Sequence, residues 1–181
     1  MEKKRITICL VSVVVGLAVW SLTAAGEKKT LVRVGVYDSR AIVVAYTYSQ
    51  YNEHFMQKKS KEKKEAEAKG DIKKAQELEE QMQRYSLKGH KQVFSTTPVR
   101  NLLDLVKEKL PEVAKQAGVD LIVSKWQIDY LASDVKTIDV TLDMVKMFEP
   151  DPDVVEHLHK LTEKEPLTEE EVERLEKEHP H

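Results

Sequence analysis

Alternating apolar and polar positions predict a β-strand at residues 31–37. Val32, Val34 and Val36 occupy every second position there, with other residue types between them. Successive side chains of a strand point to opposite faces, so the three valines share one face. We expect that face to be half-buried, and we expect Asp38 or Ser39 to cap a helix that follows.

A helical spacing of apolar residues starts directly after this strand and soon becomes sparse. Val44, Tyr48, Tyr51 and Phe55 recur every three or four positions, but in residues 57–69 the only non-polar side chains are alanines. A helix this polar cannot bury itself in a core, so it must project into solvent or pair weakly. The pattern therefore predicts a helical arm over residues 39–90.

Gly70 and Asp71 divide this arm into two legs. Glycine suits the end of one helix and aspartate the start of the next, and a thin apolar stripe restarts at Ile72. Gly89 is then expected to end the second leg. The alternative is one long charged helix that tolerates a glycine.

Further elements are predicted between the arm and residue 148. Apolar residues recur at heptad-like spacing over 98–117, which predicts a helix with a kink at Pro111, because proline removes a backbone donor. Short apolar runs predict strands at 119–124 and 128–136, and a helix follows at 140–148. The expected fold class is α+β: a small β body from N-terminal and C-terminal strands, carrying a projecting α-helical hairpin or coiled-coil arm.

Residues 1–26 have the composition of an export signal. Basic residues at positions 3–5 precede an uncharged, mostly apolar stretch that ends in small residues around Ala25, as in a cleaved signal peptide. The stretch is also about as long as a membrane span, so an uncleaved N-terminal anchor stays open. In both cases the remainder leaves the cytoplasm. The single cysteine, Cys9, lies inside this segment, so the cleaved chain would have no thiol.

The composition argues against a compact enzyme. Charged residues make up 33% of the chain and aromatic residues 6%, which is typical of long solvated helices. Residues 149–181 carry 12 acidic and four basic residues and predict either two short, weakly amphipathic helices or a disordered acidic tail. Residues 27–148 are only mildly basic, too weakly to predict nucleic-acid binding.

Neither catalysis nor a cofactor is indicated by the polar residues. His157 and His159 fit a solvated tail better than a metal site, because a fixed third ligand is missing from the pattern. The aspartates between 120 and 143 fall near predicted turns and helix starts, where capping is the simpler role. The sequence has no phosphate loop, nucleophile elbow or zinc-type Cys/His spacing. We expect a protein that is not an enzyme and that needs neither cofactor nor metal.

The order of these segments resembles the Skp/OmpH family of periplasmic chaperones. Gly118-Val-Asp-Leu-Ile-Val123 is similar to the family's strand after its second long helix, and Asp139-Val140-Thr141 to the opening of its terminal helix. VRVGVYDSRAIV resembles the strand that leads into the family's ascending helix. The similarity covers about residues 30–148 and rests on the order and spacing of short motifs.

The resemblance implies a periplasmic holdase that binds unfolded outer-membrane proteins without ATP. It also implies a homotrimer in which strands from three protomers form the body and helical arms surround a client cavity. Gly89 and Pro98 interrupt the second side of the arm, which departs from the family pattern and favours a shorter hairpin. The alternative is an oligomeric coiled-coil protein of the envelope, membrane-anchored or not, without chaperone activity.

Two groups of residues are the candidates for these roles. Adaptable methionines and amphipathic aromatic side chains of the arm are the candidates for client contact: Tyr48, Tyr51, Phe55, Met56, Met82 and Tyr85. For each of them the alternative is packing between the two legs. Apolar residues of the strands, and a tryptophan after the second strand, are the candidates for the oligomer core: Val32, Val34, Val36, Leu121, Val123 and Trp126. For Trp126 the alternatives are covering the sheet and stacking on a ligand.

Overall fold

The computed structural model describes residues 32–178, apart from the side chains of His157, His159, Glu169 and Glu176. Its elements in chain order are β1 (Arg33–Tyr37), α1 (Ser39–Thr47), α2 (Gln50–Ala68), α3 (Ile72–Phe94), α4 (Arg100–Leu103), α5 (Leu110–Ala117), β2 (Leu121–Ser124), β3 (Lys136–Asp139), α6 (Thr141–Lys146), α7 (Pro152–Thr162) and α8 (Glu169–Glu178). Short 3₁₀ turns precede α5 (Lys107–Lys109) and follow β2 (Lys125–Gln127). The fold mixes α and β structure, and strands from both parts of the chain share one small sheet.

The export signal or anchor predicted for residues 1–26 lies outside the described residues. Within residues 32–178, no helix has both the length and the apolar character needed to cross a membrane.

β1 is the central strand of a three-stranded parallel sheet with the order β2–β1–β3. Gly35 of β1 pairs with Ile122 on one side and with Ile138 on the other. Paired residues in parallel register project to the same face, and both isoleucines pack against the main core on that face. A Cβ atom at Gly35 would come within 3.1 Å of the Val119 side chain, so the glycine permits this close packing.

The second C-terminal strand is β3 at Lys136–Asp139, and the predicted strand at 128–136 is wrong. Residues 128–135 form an irregular connection, in which the Val135 N–H donates to the Ala132 carbonyl at 3.0 Å. The ladder with β1 starts only at Lys136. The prediction followed a local apolar run, whereas pairing with a distant strand determines where the strand forms.

A single helix over residues 98–117 is also wrong. α4, the 3₁₀ turn and α5 occupy this stretch, and Pro111 lies in the first turn of α5. Proline is tolerated there because the first turn needs no donor from it, whereas in a helix interior its ring would clash with the preceding turn. The expected kink is therefore a complete break, although Val106 and Val113 are buried on either side of it.

α2 and α3 form the predicted hairpin, with its tip at Gly70. Gly70 has a φ of +73°, a left-handed conformation that glycine adopts without a steric penalty. The Asp71 side chain accepts a hydrogen bond from the Lys74 N–H at 3.0 Å and so caps α3. Two separate local signals, the glycine and the cap, therefore place the turn.

Both legs of the hairpin differ from the predicted limits at the end near the body. α1 ends at Thr47 and α2 starts at Gln50, so residues 39–47 belong to the body and not to the arm. α3 continues through Gly89 to Phe94, so the predicted end at Gly89 is wrong. Gly89 is an interior helix residue, and its presence there needs another explanation.

The acidic C-terminal segment packs on the body as the two helices α7 and α8. Leu158 of α7 and Val172 of α8 are buried. The Leu167 N–H donates to the Phe94 carbonyl at 2.7 Å, which joins the loop between these helices to the end of α3. Of the two alternatives for this segment, the structure has the pair of short helices.

Candidate functional site

An open cleft with a volume of about 440 Å³ lies at the base of the hairpin. Its walls come from α1, α2, α3 and α4, and the lining is mostly apolar, including Val44, Met82, Phe94 and Leu102. The volume is in the range of pockets that bind small ligands, about 300–1,000 Å³. The cleft is therefore large enough for individual side chains or a small molecule.

Four of the six candidates for client contact line this cleft: Tyr48, Met56, Met82 and Tyr85. Tyr48 lies in the break between α1 and α2 and is 62% exposed, and Met56 is 39% exposed. Removing large apolar side chains from water lowers the free energy, so exposed ones gain from contact with another apolar group. These side chains are therefore available for a binding partner.

Tyr51 and Phe55 do not line the cleft. The Tyr51 ring lies 6.0 Å from the Phe148 ring, edge to face, and so joins α2 to the body. The Phe55 ring lies 4.4 Å from the Tyr85 ring on the other leg. For Phe55 the alternative of packing between the legs describes its position, and its ring contacts a residue that lines the cleft.

A small polar network holds Tyr85 in this wall. Its hydroxyl donates to Asn52 Oδ1 at 3.2 Å and is also hydrogen-bonded to the Tyr46 hydroxyl. Burial raises the pKa of Tyr85 far above its ordinary value, and the bond to Tyr46 raises it further. The phenol therefore stays neutral, and it serves as an anchor rather than as an acid or a base.

Several lining residues were not predicted from the sequence. Asn52, Gly89 and Phe94 all line the cleft, yet Gly89 was interpreted as a helix end, and neither Asn52 nor Phe94 was a candidate. Only the continuation of α3 beyond Gly89 brings Phe94 into the wall. The available sequence signals were Asn52, three positions before Phe55, and a glycine within a helical pattern. Neither signal is specific for a cleft.

Apart from Trp126, the candidates for the oligomer core share the sheet face that lies opposite the main core. Val34 pairs with Leu121, and Val36 pairs with Val123, so these four project to the same side. None of them belongs to the main core cluster. Val34 is buried, but Leu121 is 53% exposed, and Val32, just before β1, is 47% exposed.

Trp126 lies elsewhere, in a charged cluster at the carboxyl ends of the strands. Asp38, which is 1% exposed, accepts bonds from three side chains: Arg40 (Nη2, 2.7 Å), Lys125 (Nζ, 2.9 Å) and Trp126 (Nε1, 3.2 Å). Arg40 and Lys125 also lie over the indole ring, at 5.2 and 4.5 Å from its centre. We call these four residues the Asp38 cluster.

The charged groups of the Asp38 cluster are paired with one another. Burial alone would raise the pKa of Asp38, but the bonds from Arg40, Lys125 and Trp126 lower it to about 2. A carboxylate with this pKa is a poor proton acceptor near neutral pH. Arg40 is 2% exposed and gives a further donor, Nη1, to the Lys164 carbonyl at 2.7 Å. The cluster thus joins β1, β2 and the C-terminal segment.

Metal ligands do not cluster in the part of the chain that the structure describes: no group of three or more His, Cys, Asp or Glu side chains is placed to hold an ion. The histidine pair that was considered as a metal site, His157 and His159, has side chains outside the described set.

Comparison of the chain with protein-family models, with curated proteins and with solved structures found no match. The resemblance to the Skp/OmpH family therefore rests on the short sequence motifs, and the candidate function rests on the cleft, the hairpin and the sheet.

Proposed function

We propose that this protein is a periplasmic holdase that binds unfolded outer-membrane proteins without ATP, with the α2–α3 hairpin as its arm. The observation that carries the proposal is the cleft at the base of this hairpin. Two methionines and two tyrosines predicted for client contact line it together, and Tyr48 and Met56 are exposed. A holdase needs apolar contacts of this kind that form and break with many sequences.

The chemistry of the lining suits reversible binding. Methionine has an unbranched, polarisable side chain that adapts to different shapes, and tyrosine offers an apolar ring with a polar end. Lys58, Lys61 and Lys64 are exposed farther along α2. Exposed cations raise the rate at which acidic chains are captured, without fixing one geometry. The lysines of the arm would thus speed the capture of a client, and the cleft would provide the apolar contacts that hold it.

The open sheet face supports a homo-oligomer, which the resemblance makes a trimer. Parallel sheets are ordinarily covered on both faces, and here Leu121 and Val32 remain about half-exposed on the face opposite the main core. Burying a fully exposed side chain of this kind is worth roughly 1.5–3 kcal/mol, so covering these half-exposed ones is worth about half of that each. A second copy of the chain would provide that cover and hold several arms close together.

The same sheet face favours the second candidate function, an oligomeric coiled-coil protein of the envelope that has no chaperone activity. In that case Val32, Leu121 and the neighbouring valines of this face would serve assembly alone, and residues 1–26 would stay attached as an anchor. Oligomers that form normally but leave unfolded clients to aggregate would favour this candidate over the holdase.

The test is dilution of a urea-unfolded outer-membrane β-barrel protein into buffer with the exported protein, followed by light scattering. We expect suppression at several-fold molar excess, because the cleft and arm cover exposed apolar segments. The double variant Tyr48→Ser, Met56→Ser should suppress less.

Leu87→Ser is the matched control, since Leu87 is a 40% exposed residue of α3 outside the cleft lining. Scattering as high with the wild-type protein as without it would rule out the holdase.

A further inference from the structure

Gly89 is an interior residue of α3 for which the fold provides no structural reason. Glycine inside a helix costs about 0.5–1 kcal/mol relative to alanine. Gly35 is closely packed against neighbouring side chains and Gly70 has a positive φ, but a Cβ atom at Gly89 would meet no atom within 4 Å. The space that its missing side chain leaves is part of the cleft.

The groups around this space interact better with aromatic rings than with aliphatic chains. The thioethers of Met56 and Met82 gain about 0.3–1.5 kcal/mol from a ring at the right distance. The rings of Tyr48, Tyr85 and Phe94 add edge-to-face or offset contacts, worth about 0.5–1.5 kcal/mol beyond the area buried. An aliphatic side chain of equal size gains neither term.

The charge of the lining restricts the occupant further. Lys88 lines the cleft, and its lining includes neither aspartate nor glutamate among the described residues. A lysine ammonium is attracted to the face of an aromatic ring and to carboxylates near it. An aromatic residue with acidic neighbours in an extended chain therefore complements the cleft in both shape and charge.

We infer that the cleft binds an aromatic side chain of an extended, acidic segment of an unfolded protein, and that Gly89 keeps the space for that ring open. This inference rests on the proposed holdase function and specifies which part of a client the site selects. It also explains why a residue that weakens α3 stands at this position.

The experiment uses the five methionines of the chain as methyl probes, labelled with ¹³C and observed by NMR. Met56 and Met82 line the cleft, whereas Met144 and Met147 are buried in the core and serve as internal references. Two short peptides of alternating Ser and Glu are titrated, one with a central Phe and one with a central Leu. We expect the Phe peptide to shift Met56 and Met82 only, and to bind about fivefold more tightly than the Leu peptide.

Two substitutions at Gly89 test the space directly. Gly89→Ala adds one methyl group and leaves most of the cleft open, so the shifts should persist. Gly89→Leu fills the cleft from its own wall, and the shifts should be lost. Both residues favour helix over glycine, so both variants should melt above the wild type, which separates loss of the site from loss of the fold.

Equal binding of the two peptides, or unchanged binding to Gly89→Leu, would overturn the inference. Light scattering separates this result from a failure of the holdase proposal. If Gly89→Leu protects an unfolded client as well as the wild type does, the cleft is not the client site although the holdase stands. If the wild type binds the Phe peptide but protects no client, the aromatic site stands and the holdase fails.

Discussion

The two ends of α1 have opposite characters. At its start, Asp38 and Arg40 lie within the Asp38 cluster, where nearly every charge has a partner inside the chain. At its end, the exposed Tyr48 lines a cleft whose surface is mostly apolar. Groups that satisfy one another hold a structure together, and groups left without a contact are available for binding. The comparison therefore separates the residues expected to determine stability from those expected to determine function.

The largest effect on stability is expected at the closed end of α1. Asp38→Ala leaves Arg40, at 2% exposure, without its carboxylate, and an uncompensated buried charge costs about 3–5 kcal/mol. Urea unfolding followed by circular dichroism measures this loss. Asp143→Ala is the control, because it removes an exposed ion pair with Lys146 worth at most about 1 kcal/mol. Equal losses in the two variants would show that the cluster contributes no more than a surface pair.

A smaller effect of the same cluster depends on pH. The pKa of Asp38 is about 2 in the folded chain, below the value of about 3.9 for an unfolded aspartate. The stabilisation is therefore fully present above about pH 4, and about 2 kcal/mol is lost as the pH falls toward 2. The free energy of unfolding of the wild type minus that of Asp38→Asn should shrink across this window. A difference that stays constant would mean that the charge of Asp38 adds nothing.

The smallest effect on stability is expected at the open end. Tyr48→Ser removes a ring that is 62% exposed, and surface substitutions of this kind change the free energy of unfolding by no more than about 0.5 kcal/mol. Binding of the Phe peptide should nevertheless weaken, since Tyr48 lines the cleft. A large loss of stability in this variant would mean that Tyr48 supports the fold, and the contrast between the two ends of α1 would disappear.

Features that depend on neighbouring residues were predictable from the sequence. The β1 strand, the hairpin tip at Gly70 and the cap at Asp71 follow from alternation, from a glycine that tolerates a positive φ and from a capping side chain. β3 was misplaced because its position depends on pairing with β1, about 100 residues earlier. Local periodicity gives no information on such pairing.

The cleft could be predicted only in part. The sequence indicated a polar arm with scattered methionines and aromatic residues, and four of these, Tyr48, Met56, Met82 and Tyr85, do line one cleft. Tyr51 and Phe55 do not line it, and this difference depends on which side of each leg packs against the body. Gly89 was misinterpreted because glycine ends helices more often than it occurs within them. Trp126 was expected at a subunit contact or over the sheet. Its indole N–H donates to Asp38, and the Asp38 cluster forms only when three distant segments come together.

The bond between Arg40 and the Lys164 carbonyl has a consequence for the order of folding. The two residues are 124 positions apart. The partner strands of β1 follow the whole hairpin in the sequence. Contacts between distant residues form late, because a long loop must close first. We therefore expect the hairpin to form early, and β1 and the buried end of α1 to fold only after the C-terminal segments are in place. During that interval the protein itself exposes an unpaired apolar strand, the same hazard from which we propose it protects others.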